Sequence, residues 1–126
     1  MRRATQALLA ITGVATVGIG LFHLVLGGAA VIGGSPLNAT AQGEHRFFAA
    51  LFACYGLAFL WCVPAAETKK RQINLLAATF LVGGLARLLS IAISGPPNAF
   101  YSVMLIIELA LPMVLFFLAC RLPQSA

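Results

Sequence analysis

From Ile73 to Ser94 the chain carries a single charged side chain, Arg87, in a stretch otherwise suited to hydrocarbon. Three further runs share that character: Ala7 to Ile32, Phe47 to Val63, and Phe100 to Leu118, the last holding only Glu108. A hydrocarbon layer of about 30 Å needs about 20 helical residues to cross it. The second run is the shortest that qualifies, and the first is long enough to tilt or protrude. Backbone groups in lipid must be hydrogen-bonded within the protein, so helices are the expected form. Membrane strands would alternate in polarity, and these runs do not. The expected fold is therefore all-α: one integral membrane domain over residues 1–126, with spans of about 7–32, 47–63, 73–94 and 100–118.

Composition agrees. Of 126 residues, 61% are hydrophobic and 9% charged, with a mean hydropathy of +0.99. A soluble domain is about one quarter charged. The formal charge of +5 could serve nucleic acid, but no basic stripe interleaved with aromatic residues is present, so no nucleic-acid partner is expected. The cations sit at segment ends instead. Arg2 and Arg3, then Lys69, Lys70 and Arg71, then Arg121 fall on one side of the predicted spans. The positive-inside rule makes that side, and with it both termini, cytoplasmic. Arg46 is then the one loop cation on the outer side. A multi-pass protein of a cell inner membrane is the expected localisation. A cleaved signal peptide is the rival reading of the N-terminus, but its apolar core would be about 7–15 residues, and this run continues well beyond.

The connections are short. "GGSPLNATAQGEH" (33 to 45) reads as an outer loop, "PAAETKKRQ" as the inner one, and "SGPPN" as an outer turn in which Pro96 and Pro97 stop the third helix. Short connections make sequential helices antiparallel neighbours, hence an antiparallel four-helix bundle. Asn38-Ala39-Thr40 matches a glycosylation sequon, a pattern common by chance.

Helix one carries Gly13, Thr16, Gly20, His23, Gly27, Ala30 and Gly34 at steps of three and four. Such small-residue seams let membrane helices approach closely, and this one turns His23 inward. At 1.5 Å per residue, Arg87 lies about 12 Å from Gly95, Glu108 about 15 Å from Asn98, His23 about 15 Å from Gly33 and Tyr55 about 13 Å from Arg46. The four residues are thus expected at one level, lining a cavity open to the outer half of the bilayer. An unpaired charge there would be costly. Arg87 is expected to pair with Glu108 and to keep donors for other groups. Pro112 lacks the N–H that would bond the Glu108 carbonyl, so a kink is expected. Gly83 and Gly84 leave space one turn before Arg87, and Ser90 and Ser94 continue its face. Two readings of the pair stay open: a ligand site, or a clamp that fixes helix order.

"EHRFFAALFACYG" (44 to 56), "GGLARLLS" (83 to 90), "GPP" (95 to 97) and the mid-helix Glu108 resemble a family of small four-span bacterial membrane proteins, domain of unknown function 4345. The resemblance covers almost the whole chain. Its pattern falls here on Glu44, Arg46 and Phe47, on Arg87 and Ser90, on Gly95 and Pro97, and on Glu108. Structural or interface roles are expected for Glu44, Arg46, Ser90, Gly95, Pro97 and Pro112, and the resemblance implies no activity. The architecture is also similar to that of DoxX-like proteins, a likeness of fold alone.

Several chemistries find no residues. His23 and His45 are placed about 15 Å apart in depth, so no haem, zinc or other metal site and no cofactor is expected. Cys54, Cys62 and Cys120 are odd in number and form no C-x-x-C, which argues against thiol–disulfide exchange. No nucleophile–base pair or phosphate loop appears, so an enzyme is not the favoured reading. "GLxxL" at Gly20–Leu24 and Gly84–Leu88 is near chance in this composition. The first reading is a bundle that binds a lipid, quinone, fatty acid or similar amphipathic molecule at the polar layer. The second is an accessory or scaffold subunit, self-associating or docking another membrane protein. The third is a small proton-coupled transporter with Glu108 as the exchanged group. Small multidrug exporters carry their membrane carboxylate in helix one, and here helix one has none.

Overall fold

In the computed structural model, which describes residues 2–122, four long helices follow one another: α1 (Arg2–Leu26), α2 (Ala39–Cys62), α3 (Lys70–Ser94) and α4 (Ala99–Cys120), with short 3-10 turns at Gly27–Ala30 and Val63–Ala65. The described residues contain no strand. All four helices are long and apolar enough to cross a membrane. Their outward side chains suit lipid: Ile11, Val14, Val25, Leu75, Ile93 and Ile106 are exposed, whereas Thr5, Thr12, Thr16 and Glu108 are buried. Met1 and residues 123–126, the ends to which the cytoplasmic assignment of the termini refers, lie outside the described residues.

Helix limits depart from the apolar runs in both directions. α2 begins at Ala39 rather than near Phe47, because Asn38 caps it: the Ala41 N–H donates to Asn38 Oδ1 at 2.9 Å. The sequon asparagine is thus a helix cap, and Glu44, His45 and Arg46 are helical rather than in a loop. α1 stops at Leu26, short of the expected Ile32, where Gly27 takes a φ of 62°. That left-handed conformation ends helices and favours glycine. Gly34, counted in the helix-one seam, therefore lies beyond the helix and is exposed. α3 starts at Lys70 and ends at Ser94, terminated by Gly95 at a φ of 87° whose N–H donates to Ile91 O at 2.9 Å. The glycine, not the two prolines after it, closes the helix. Asn98 then caps α4 through the Phe100 N–H at 3.0 Å.

The described residues form two units. The second unit, Leu9–Trp61, is the α1–α2 hairpin. Its helices touch backbone to backbone. A Cβ on Gly20 would lie 2.6 Å from the Ala53 nitrogen, and one on Gly56 would lie 2.7 Å from the Val17 nitrogen and 2.8 Å from Gly13 O. The small-residue seam of α1 is the surface that α2 occupies. At the end of α1, Gln42 Oε1 accepts from the Gly28 N–H at 2.9 Å and Arg46 Nε donates to Leu24 O at 3.1 Å. Both side chains satisfy backbone groups that a helix end leaves open.

The first unit joins residues 2–8 to the chain from Cys62 onward. α3 and α4 run antiparallel across the tight 95–98 turn. At the opposite end Arg2 lies 3.6 Å from Glu67, Gln6 Nε2 donates to Val63 O at 2.8 Å, and Lys70 Nζ donates to Leu122 O. The cationic segments of the first unit thus gather at one end. Between the helices Gly84 faces Leu109, and a Cβ there would be 3.6 Å from Glu108 O. Pro112, buried within α4, supplies no N–H to that carbonyl.

Candidate functional site

Arg87 leaves α3 two turns before its end and Glu108 leaves α4 about three turns after its start. Helical rise puts them about 10 Å and about 14 Å from the 95–98 turn, close enough in depth to meet. Arg87 Nε lies 2.7 Å from Glu108 Oε2, the length of a charge-assisted bond. The two sides of the pair differ. The Glu108 side chain is 10% exposed and the Arg87 side chain 47%. The carboxylate is enclosed, and its partner reaches outward.

Arg87 borders a cleft of about 80 Å³ together with Ser90, Ile91, Gly95, Pro97, Tyr101 and Leu105. That volume exceeds the room one water needs, about 10–15 Å³. Ser90 and Ile91 follow Arg87 on α3, Tyr101 and Leu105 face them from α4, and Gly95 with Pro97 closes the end at the turn. The Tyr101 ring centroid is 5.8 Å from the Arg87 guanidinium carbon, within cation–π range. One carboxylate occupies at most two of the five guanidinium donors in a fork geometry. The remainder can serve a ligand in the cleft.

Ser90, Gly95 and Pro97, expected as structural positions, line this cleft. Tyr101 and Leu105 were not singled out in sequence. Their signal was present: two turns and one turn before Glu108 on the same face of α4, Tyr101 and Leu105 are the residues that flank whatever Arg87 reaches.

His23 and Tyr55 stand differently. In the second unit His23 Nδ1 lies 2.9 Å from His45 Nε2. The ring centroids are 5.1 Å apart, close to the N···N distance plus two ring radii, so the nitrogens point along the line joining the rings. That geometry is an N–H···N hydrogen bond, with one ring donating and the other accepting. The expected separation of about 15 Å in depth between the histidines is overturned. It assumed a helix one reaching Ile32 and a loop through His45; with α1 ending at Leu26 and α2 starting at Ala39, the two rings are opposite each other. Tyr55 lies ten residues beyond His45 on α2, about 15 Å further along, and packs edge-on against Phe59 at a centroid distance of 4.9 Å. The single level assigned to His23 and Tyr55 therefore does not hold within their own unit. Among the described residues no group of three or more histidine, cysteine, aspartate or glutamate side chains converges as a metal would require. Cys54 and Cys120 are exposed and Cys62 is buried; all are free thiols.

Glu44 is exposed on α2, and Arg46, as above, closes the end of α1. A family model described as Domain of unknown function (DUF4345) matches residues 4–119. No curated protein and no solved structure matches the chain.

Proposed function

The chain belongs to the DUF4345 family, and since that membership carries no activity, we propose from the site itself that it is a multi-pass protein of a cell inner membrane that binds a small amphipathic molecule at the α3–α4 cleft. The ligand's hydrogen-bond-accepting head group takes the Arg87 guanidinium, and its apolar part lies along Leu105 and Ile91. The observation that carries this reading is the asymmetry of the pair. A clamp that only fixes helix order would enclose both partners, whereas here Glu108 is buried and Arg87 is half exposed and borders an open cleft. Both termini face the cytoplasm in this reading, and the cleft opens to the outer leaflet.

The accessory-subunit reading relied on small-residue faces. The main one, on α1, is already covered by α2 at Gly13, Gly20 and Gly56. A proton-coupled carrier would need Glu108 to leave Arg87 and return to it. Native mass spectrometry of the purified protein, with lipid extraction, tests the proposal. A retained small molecule that is lost on Arg87→Lys, which keeps a cation beside Glu108 but not the guanidinium fork, with the thermal midpoint preserved, supports it. An empty wild-type protein that co-purifies with another membrane chain overturns it in favour of the accessory role.

A further inference from the structure

The net charge beside the cleft restricts what it can accept. On α3 the next cations, Arg71 and Lys70, are about 24 Å and about 26 Å from Arg87. Just past the end of α4, Arg121 is about 20 Å from Glu108. Within the first unit the cleft therefore faces one cation, and that cation is already bonded to a carboxylate at 2.7 Å. The pair sums to zero.

A second anion entering the cleft would be attracted by the guanidinium and repelled by Glu108 just behind it. Coulomb energy falls as the inverse of distance, so a carboxylate twice as far from the incoming charge cancels about half of the attraction. The anion would still lose its full hydration. An uncharged carbonyl takes the same guanidinium donors and gives up far less hydration. We propose, resting on the ligand-site reading above, that Glu108 makes the α3–α4 cleft selective for an uncharged amphiphile whose head is a carbonyl acceptor, such as an ester, amide or quinone, and excludes the corresponding anion. Glu108 touches Arg87 and does not line the cleft. It acts through the guanidinium as a positioning residue that sets the charge of the site.

The inference is tested with two probes that share a chain and differ in charge: hexadecanoate, ionised at alkaline pH, and its methyl ester. Each is titrated into the purified protein in nanodiscs and its retention read by native mass spectrometry. Wild type should retain the ester at least about tenfold better than the anion, a difference of about 1.4 kcal/mol. Glu108→Gln leaves the guanidinium unbalanced and should reverse the preference, whereas Glu108→Asp should keep it. A residue needed only for folding would lower retention of both probes alike and leave their ratio unmoved. Wild type that prefers the anion overturns the inference even if no variant can be purified, and so does an unchanged ratio in Glu108→Gln. Both results leave the site itself standing. Retention of neither probe by wild type, or equal retention by wild type and Arg87→Gln, overturns the ligand-site reading as well.

Discussion

Arg87 and Glu108 respond differently to loss of their partner, because they are buried to different extents. Removing the guanidinium strands a carboxylate that is 10% exposed. Breaking a buried pair in this way costs about 3–5 kcal/mol. Removing the carboxylate leaves a guanidinium that is 47% exposed on a long side chain that can snorkel toward the interface, so the loss is smaller. Arg87→Leu should therefore lower the thermal midpoint in detergent more than Glu108→Leu does. The double change should recover most of the Arg87→Leu loss, since no charge is then left unpaired. Equal losses for the two single variants would mean that the carboxylate is better solvated than its enclosure implies. The pairing itself was legible in the sequence: two opposite charges at matching depths on adjacent predicted helices have few other ways to be satisfied. The His23–His45 bond was not legible, because depth was counted from the ends of apolar runs. An apolar run measures what dissolves in lipid, not where a helix begins.

The same distinction explains the helices. Residues 39–45 are polar enough to read as loop, yet an Asn38 cap and a lack of prolines make them the first two turns of α2. Conversely, Gly27, Gly28, Ala29 and Ala30 are apolar enough to extend a span but end α1, since Gly27 adopts a left-handed conformation. What sequence did show at this scale was the small-residue seam of α1, with Gly13, Thr16, Gly20, Gly27 and Ala30 all buried. Its partner surface on α2 was hidden, because Ala49, Ala53 and Gly56 are ordinary residues in a chain this apolar. The seam makes a sharp prediction. A methyl group at Gly20 meets the Ala53 nitrogen at 2.6 Å and Ala49 O at 2.9 Å, and one at Gly56 meets Val17 and Gly13 backbone. Backbone atoms cannot rotate away, so Gly20→Ala and Gly56→Ala should each destabilise the hairpin by about 1–3 kcal/mol. Gly18 and Gly83 have nothing within 4 Å of that position. There alanine's better helix propensity should leave stability unchanged or raise it by up to about 1 kcal/mol. Thermal midpoints of the four variants check the contrast. A Gly20→Ala protein as stable as Gly18→Ala would show that the two helices pack less closely than the structure has them.

For the whole molecule, the expected sidedness rests on the cations, and the contacts of the first unit bear on it as well as the counting does. Arg2 meets Glu67, Gln6 meets Val63 O, and Lys70 meets Leu122 O. The start of α1, the 63–69 connection with the first turn of α3, and the residues after α4 are thereby held at one end of the first unit, and Arg3, Lys69, Arg71 and Arg121 lie in those same segments. No bilayer orientation can split them, so the positive-inside rule acts on the group as one. The two other connections carry no charge: the 95–98 turn has none, and neither has Val31–Asn38. With so strong an asymmetry, Ser35 should lie outside and Thr68 inside. The check uses a chain with Cys54, Cys62 and Cys120 replaced by alanine, into which Ser35→Cys or Thr68→Cys is introduced singly. In intact cells a membrane-impermeant maleimide should label the Ser35→Cys protein and spare the Thr68→Cys protein, which should react only after permeabilisation. Labelling of the Thr68→Cys protein in intact cells would invert the assignment. The α3–α4 turn, and the cleft beside it, would then open toward the cytoplasmic leaflet, and the ligand would have to be sought there.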